Sequence, residues 1–439
     1  MKNSHRIFIY PMLCALVLAV SISLFALFPT SASETPPEVV STGLHVLAEQ
    51  NSMAMAGING NGIRFDTKDF ARALNLPLSC INERTITSVP PTTDGELLVG
   101  STVIGDGQTL SASSIALLSY SPRSDIATSS FTFRLGDSPL DMTCKLYMLD
   151  KANAAPTLSV ATSASLEVST YCNTPLYGRL PFYDPEGDEV KVEIVSYPQS
   201  GLLYLNNPAT GEYTYTPMEN AKGKDSFTYV ARDKYGNYSA SATVSLSIVK
   251  SSVSVSYADL DNSPYANAAI YMTEKAIMSG TKIGDSTYFY PESAVSRAEF
   301  VVLAMNSFGI TDTASADCAV FADGELIPEE MRGYIATAHS LGYINGTQKG
   351  ESLCFEPDRP ITKAEAAVIL GNMLETSLPT LSYTPQFEDS EAIPAWATPS
   401  MYSLSHMGII NSKDGKLEPL SEITRGEAAQ MLFQAVKAR

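Results

Sequence analysis

The sequence predicts a multidomain chain: two all-β sandwiches followed by an all-α unit. Three observations carry this. Two stretches of short alternating strands repeat one another between about 60 and 250. A helical pattern with apolar residues at three- and four-residue spacing repeats three times between 257 and 439. The 439 residues also suffice for about three domains of roughly 150 each.

Residues 1–33 stand apart. Lys2 and Arg6 open them, Ile7 to Phe28 carry no charge, Pro29 breaks the run, and Ser31, Ala32 and Ser33 are small. This order predicts a secretory signal peptide cleaved near Ser33. The rival reading is an uncleaved membrane anchor; cleavage would leave no permanent span. Cys14 follows bulky residues, unlike a lipoprotein cysteine.

Residues 1–33 hold two of the 29 basic side chains and none of the 47 acidic ones. The exported chain therefore carries 27 against 47, a net charge of −20. That sign excludes the phosphate neutralisation on which nucleic-acid binding depends. It suits a secreted protein. Export permits disulfides, and Cys80–Cys144 and Cys318–Cys354 are the pairings that stay within one proposed domain. Cys172 is left over, and the alternative is five buried thiols. No CxxC is present, so no zinc or redox motif is expected.

The first repeat type is β-like. "LSYSP" at 118–122 matches "YTYTP" at 213–217, and "SSFTFRL" at 129–135 matches "DSFTYVA" at 225–231. "ATVSLSIV" at 242–249 reads as a last strand with Val244, Leu246 and Ile248 on one face. The expected sandwiches span 60–150 and 155–250, after a segment 34–59 that matches nothing recognisable. Together with "YDPEGDEVKVEI" and "DSFTYVARDKYGN", these stretches resemble the bacterial cadherin-like and Ig-like repeats of surface proteins. The first copy lacks the DPEGD stretch. Asp184, Glu186, Asp188, Asp233, Asp150 and Asn153 are oxygen donors near a domain junction. The resemblance implies a calcium site there. The other reading is a plain turn, since Asp-Pro-x-Gly makes one unaided.

The second repeat type opens each time on aromatic-x-Asp: Tyr257/Asp259, Phe321/Asp323 and Phe387/Asp389. A helix follows, then a turn at Gly280, Gly346 or Ser412. Pro291, Pro357 and Pro419 come next, each five residues before a box: "SRAE" at 296–299, "TKAE" at 362–365 and "TRGE" at 424–427. This pattern resembles the S-layer homology (SLH) family. The resemblance implies one pseudo-threefold α-helical SLH domain from repeats 257–310, 321–376 and 387–439, with grooves between adjacent copies. It also implies a ligand: an acidic, pyruvylated secondary cell-wall polysaccharide or other peptidoglycan-linked polymer. The location implied is the cell wall, S-layer or cell surface.

Ser296/Glu299, Thr362/Glu365 and Thr424/Glu427 need only helix capping, each box contributing about 1 kcal/mol. Arg297, Lys363 and Arg425 do not fit that account. A cation in a first helical turn opposes the macrodipole, at about 0.3–1 kcal/mol if exposed. Two uses fit. The cations make helix-terminal anion sites, with Arg gripping a carboxylate and Lys a weaker point charge, or each pairs with a neighbouring copy's acid. The resemblance favours the first and adds Asp259, Asp323 and Asp389 as groove residues. The alternative for these aspartates is local capping. The resemblance also implies that Trp396 and Tyr265 stack on sugar rings. At the second copy's corresponding place stands Glu330. That departure, Ser412 in the turn and Gly426 in the third box imply unequal grooves.

No GxSxG, HExxH or P-loop occurs, and the histidines beyond residue 33 are His45, His339 and His406. The expected function is therefore an envelope-anchored surface protein, not an enzyme, with the sandwiches as spacer or display module. A lattice subunit and an adhesin are the alternatives. The oligomeric state is not legible.

Overall fold

The computed structural model describes residues 52–74, 76–81, 83–136, 139–158, 165–311, 318, 320–374, 387–413 and 415–439. The expected signal peptide, and 34–51 of the segment that follows it, lie outside them.

The first sandwich packs a five-stranded sheet on a four-stranded one. Its first strand, β1 (Ser52–Ile58), pairs in parallel with the last, Met142–Leu149, so this domain begins ahead of residue 60. Along Met142–Leu149, Met142, Cys144, Leu146 and Met148 are buried, as period-two alternation requires. The second sandwich repeats the plan. Ser165–Tyr171 pairs in parallel with Ala242–Val249, whose Ala242, Val244, Leu246 and Ile248 fill the core.

Residues 257–439 are not the all-α unit expected. Helices Ala266–Glu274, Arg297–Ser307, Glu329–Ser340, Lys363–Met373, Thr398–His406 and Arg425–Ala438 alternate with short β-hairpins. Thr281–Ile283 pairs with Ser286–Tyr288, and Thr347–Lys349 with Ser352–Cys354. The reason lies in the turns. Gly284 and Gly350 take positive φ, 61° each, which sharp hairpin turns demand. The flanking residues alternate over only three positions, too few to register against the long helical period around them.

A closed ring of backbone bonds joins the three copies. Ile361 N–H donates to Val295 O at 3.0 Å, Ile423 to Ile361 at 3.0 Å, and Val295 to Ile423 at 3.3 Å. All three side chains are buried. Two residues further on, the pattern becomes a docking of each box on the next copy. Arg297 N–H donates to Arg359 O, Lys363 to Ser421 O and Arg425 to Ser293 O. The orphan amides of each helix start are thus met by the neighbouring repeat.

The domains touch. Arg72 of the first sandwich donates to Ser239 O of the second at 2.9 Å. At the next junction buried Asn267 accepts from Thr170 Oγ1 and Tyr171 N–H and donates to Pro175 O. Tyr171 also donates to Glu274 at 2.6 Å.

The cysteines form neither expected disulfide. Cys144 and Cys354 are thiols. Cys144 is fully enclosed by apolar core, and burial pushes its pKa well up. Cys318 directs its sulfur to Arg332 O at 3.3 Å.

Candidate functional site

The seams between adjacent helical copies hold the residues singled out in the sequence. All three capping boxes form. Ser296, Thr362 and Thr424 each accept from the amide of the third helical residue, and Glu299, Glu365 and Glu427 accept from the cap amides.

The cations lie in the seams. Arg297 is 6% exposed, with its guanidinium 3.4 Å from Glu365 of the next copy and 5.3 Å from the centre of the Phe355 ring. Burial lowers its pKa, and Glu365 works against that. Lys363, also 6% exposed, has its ammonium 3.5 Å from Glu418 and 3.7 Å from Glu427. Arg425 differs. It donates Nε to Phe289 O at 3.0 Å and Nη2 to Ser279 O at 2.7 Å, and lies 4.8 Å from the Phe289 ring centre. Among the described residues no carboxylate pairs with it. Burial lowers its pKa, opposed by Glu299. Two of the three cations therefore use a neighbour's capping acid.

The opening aspartates act on the loop before each box. Asp259 accepts from Phe289 and Tyr290 N–H, Asp323 from Phe355 and Glu356, and Asp389 from Leu417 and Glu418, all at 2.7–2.9 Å. Tyr290, Glu356 and Glu418 have φ of 59°, 62° and 51°. Each aspartate thus clamps a left-handed residue just before Pro291, Pro357 or Pro419, a conformation costly for a side chain with a Cβ. They cap no helix of their own. What they position is the loop on which the preceding copy's cation rests.

Trp396 is 59% exposed and free to present a ring face. Tyr265 is half-buried, and burial, then Glu427 and Glu292, push its pKa up to about 12. Sequence reasoning missed the platform residues Phe289 and Phe355, and Arg359, which bonds Glu365 at 2.5 and 3.1 Å. The signal was present: each platform residue stands two places before the prolines that mark the repeat.

In the second sandwich Asp184, Glu186 and Asp188 bring one carboxylate oxygen each within 4.8 Å of one another. Asn153 joins them by donating to Asp188 at 2.6 Å. Asp184 Oδ1 accepts from the Glu186 and Asp188 amides at 3.0 Å, while its Oδ2 is buried with no partner among the described residues. Lys234 reaches Asp188 at 2.9 Å. Asp233 is occupied by its own loop, accepting from Tyr235 and Asn237. Asp150 instead accepts from Asn59 at 2.7 Å.

Comparison with known proteins agrees with this geometry. The family described as bacterial cadherin-like domain matches residues 153–250, and S-layer homology domain matches 256–301, 320–367 and 386–429. The S-layer protein sap of Bacillus anthracis is 31% identical over 96 residues, 22% of this chain and 11% of that protein. The Surface-layer 125 kDa protein of Lysinibacillus sphaericus is 24% identical over 131 residues, 30% of this chain and 10% of that protein. The chain thus spans about a tenth of the length of these curated relatives. The solved structure of endo-fucoidan hydrolase MfFcnA4, from glycoside hydrolase family 107, is 23% identical with a TM-score of 0.19, covering 38% of this chain and 23% of that one. At that score the likeness says nothing of fold or activity. Among the described residues no helix is long and apolar enough to cross a membrane. The chain carries one bacterial cadherin-like domain followed by three S-layer homology repeats, which places it at the cell surface.

Proposed function

We propose that the SLH unit anchors the protein noncovalently to the cell envelope by binding an acidic, pyruvylated secondary cell-wall polysaccharide, and that the protein is not an enzyme. The single observation behind the choice of site is Arg425. Its guanidinium lies on an aromatic ring at a helix start, with no carboxylate paired to it among the described residues. A ketal carboxylate would supply the missing anion. Arg297 and Lys363 already have acids, so their grooves are weaker anion sites. Exposed Trp396 and the ring of Tyr265 would stack on sugar faces. Asp259, Asp323 and Asp389 serve by holding the loops under the cations. The test is co-sedimentation of the full chain with purified walls before and after the acidic polymer is stripped. Binding that survives stripping rejects the proposal.

A calcium ion is the accompanying reading for Asp184, Glu186, Asp188 and Asn153, favoured by the buried, unpartnered Oδ2 of Asp184. Lys234 would have to leave Asp188. Calcium should then raise Tm in the parent and not in Asp184→Asn; equal Tm with and without calcium would reject the site.

A further inference from the structure

A cavity of about 350 Å³ lies between the cadherin-like sandwich and the SLH unit. Tyr177, Arg179 and Asn206 line it from the sandwich; Tyr265, Lys363 and Glu427 line it from the repeats. Its volume is within the roughly 300–1,000 Å³ range of small-molecule sites.

Two departures of the third repeat meet at this cavity. Ser412 replaces the turn glycine of the other copies, Gly280 and Gly346, and its hydroxyl accepts from Arg179 Nη1 at 2.9 Å. Gly426 replaces Ala298 and Ala364 of the other boxes. A Cβ at Gly426 would stand 2.3 Å from Tyr265 Cδ2, so the glycine is what admits the ring. A glycine inside a helix costs about 1 kcal/mol against alanine. The third repeat has given up local helix preference, and its turn glycine, at two positions that both shape one cavity.

The lining points to a ligand class. Lys363 is buried, and its ammonium makes no hydrogen bond among the described residues; its two carboxylates are 3.5 and 3.7 Å away, beyond ordinary hydrogen-bond length. Charges balance, with Arg179, Lys363 and Lys413 against Glu212, Glu418 and Glu427. Asn206 and Gln430 add amides beside the Tyr265 ring. Balanced charge, many donors and acceptors and one aromatic face suit a hydroxyl-rich neutral sugar, not a bare anion or an apolar ligand.

We propose that this cavity is a saccharide subsite shared by the two domains, holding an uncharged sugar residue of the wall polymer beside Lys363. The cadherin-like domain is then one wall of the binding site and not only a spacer. This rests on the wall-polymer reading and extends it.

The test titrates oligosaccharides cut from a pyruvylated wall polysaccharide into the full chain by calorimetry. Asn206 is exposed, so Asn206→Trp narrows the cavity without disturbing the core. Asn206→Trp should weaken Kd about tenfold, and Asn206→Ala less, with Tm unchanged. Removing the pyruvyl groups should leave the Asn206→Trp penalty in place. Hydrogen exchange should slow at Leu176–Arg179 when the oligosaccharide binds. A parent that binds, with Asn206→Trp binding equally and exchange unchanged, overturns the shared subsite alone. A penalty that vanishes with the pyruvyl groups overturns the neutral-sugar assignment. A parent that does not bind overturns the wall-polymer reading and this one with it.

Discussion

The guanidinium of Arg297 lies 3.4 Å from the carboxylate of Glu365, the capping acid of the next repeat. One acid thus closes its own helix start and neutralises its neighbour's cation. Lys363 and Glu427 repeat the relationship at 3.7 Å. Box and cation are one device at two of the three seams; at the third, Arg425 donates to the Phe289 and Ser279 carbonyls instead.

Arg297→Ala should therefore unfold the SLH unit more easily. Removing one member of a buried pair costs about 3–5 kcal/mol, but Arg359 still holds Glu365, so about 2 kcal/mol is expected. Urea unfolding measures it. An unchanged midpoint would mean that Arg297 is not part of the ring.

The same pair sets a pH dependence. Burial raises the pKa of Glu365, but Arg359, the Thr362 amide and Arg297 outweigh it, and the net shift is downward. Glu356 is also lowered, by Lys349 first, with Arg359 helping against burial. Folded pKa values below unfolded ones stabilise fully above the ordinary glutamate range, and that contribution is lost as pH falls through the depressed values. Thermal stability should stay level from pH 7 to about 5 and then fall. Glu365→Gln should flatten the acid limb. An identical limb in parent and variant would contradict the assignment.

Asp323→Ala should cost about 1.5–3 kcal/mol, since it strips two charge-assisted bonds, one from the Phe355 amide and one from left-handed Glu356. Asp259→Ala and Asp389→Ala should behave alike. If only one of the three destabilises in thermal scans, the clamp is not a common function of the repeats.

Arg84 is 1% exposed inside the first sandwich, its guanidinium 3.9 Å from the centre of the Phe70 ring, with no hydrogen-bond partner among the described residues. Burial lowers its pKa to about 10. An unpaired buried charge is destabilising, and a flexible apolar side chain fills the same space. Arg84→Met should raise Tm by several degrees. A lower Tm would show that the guanidinium is needed where it lies.

Much of this architecture was legible in the sequence. Alternation located the strand 242–249, and the threefold recurrence of prolines and boxes located the repeats. The hairpins were not, because three-residue strands are too short for a period. The role of Asp259, Asp323 and Asp389 was hidden for another reason. Their partners lie about 30 residues downstream, and nothing local marks an amide as held in the left-handed region. Gly426 and Ser412 were visible as irregularities, but their reasons, Tyr265 and Arg179, come from another repeat and another domain.

The most direct measurement is sedimentation of the full chain with purified cell walls, comparing parent and Arg425→Ala. Among the described residues Arg425 has no paired acid to strand, so its loss should weaken wall binding at least tenfold while Tm falls little. The parent should fail to bind walls stripped of the acidic polymer. Arg425→Ala binding as tightly as the parent, or a parent that still binds stripped walls, would contradict the account.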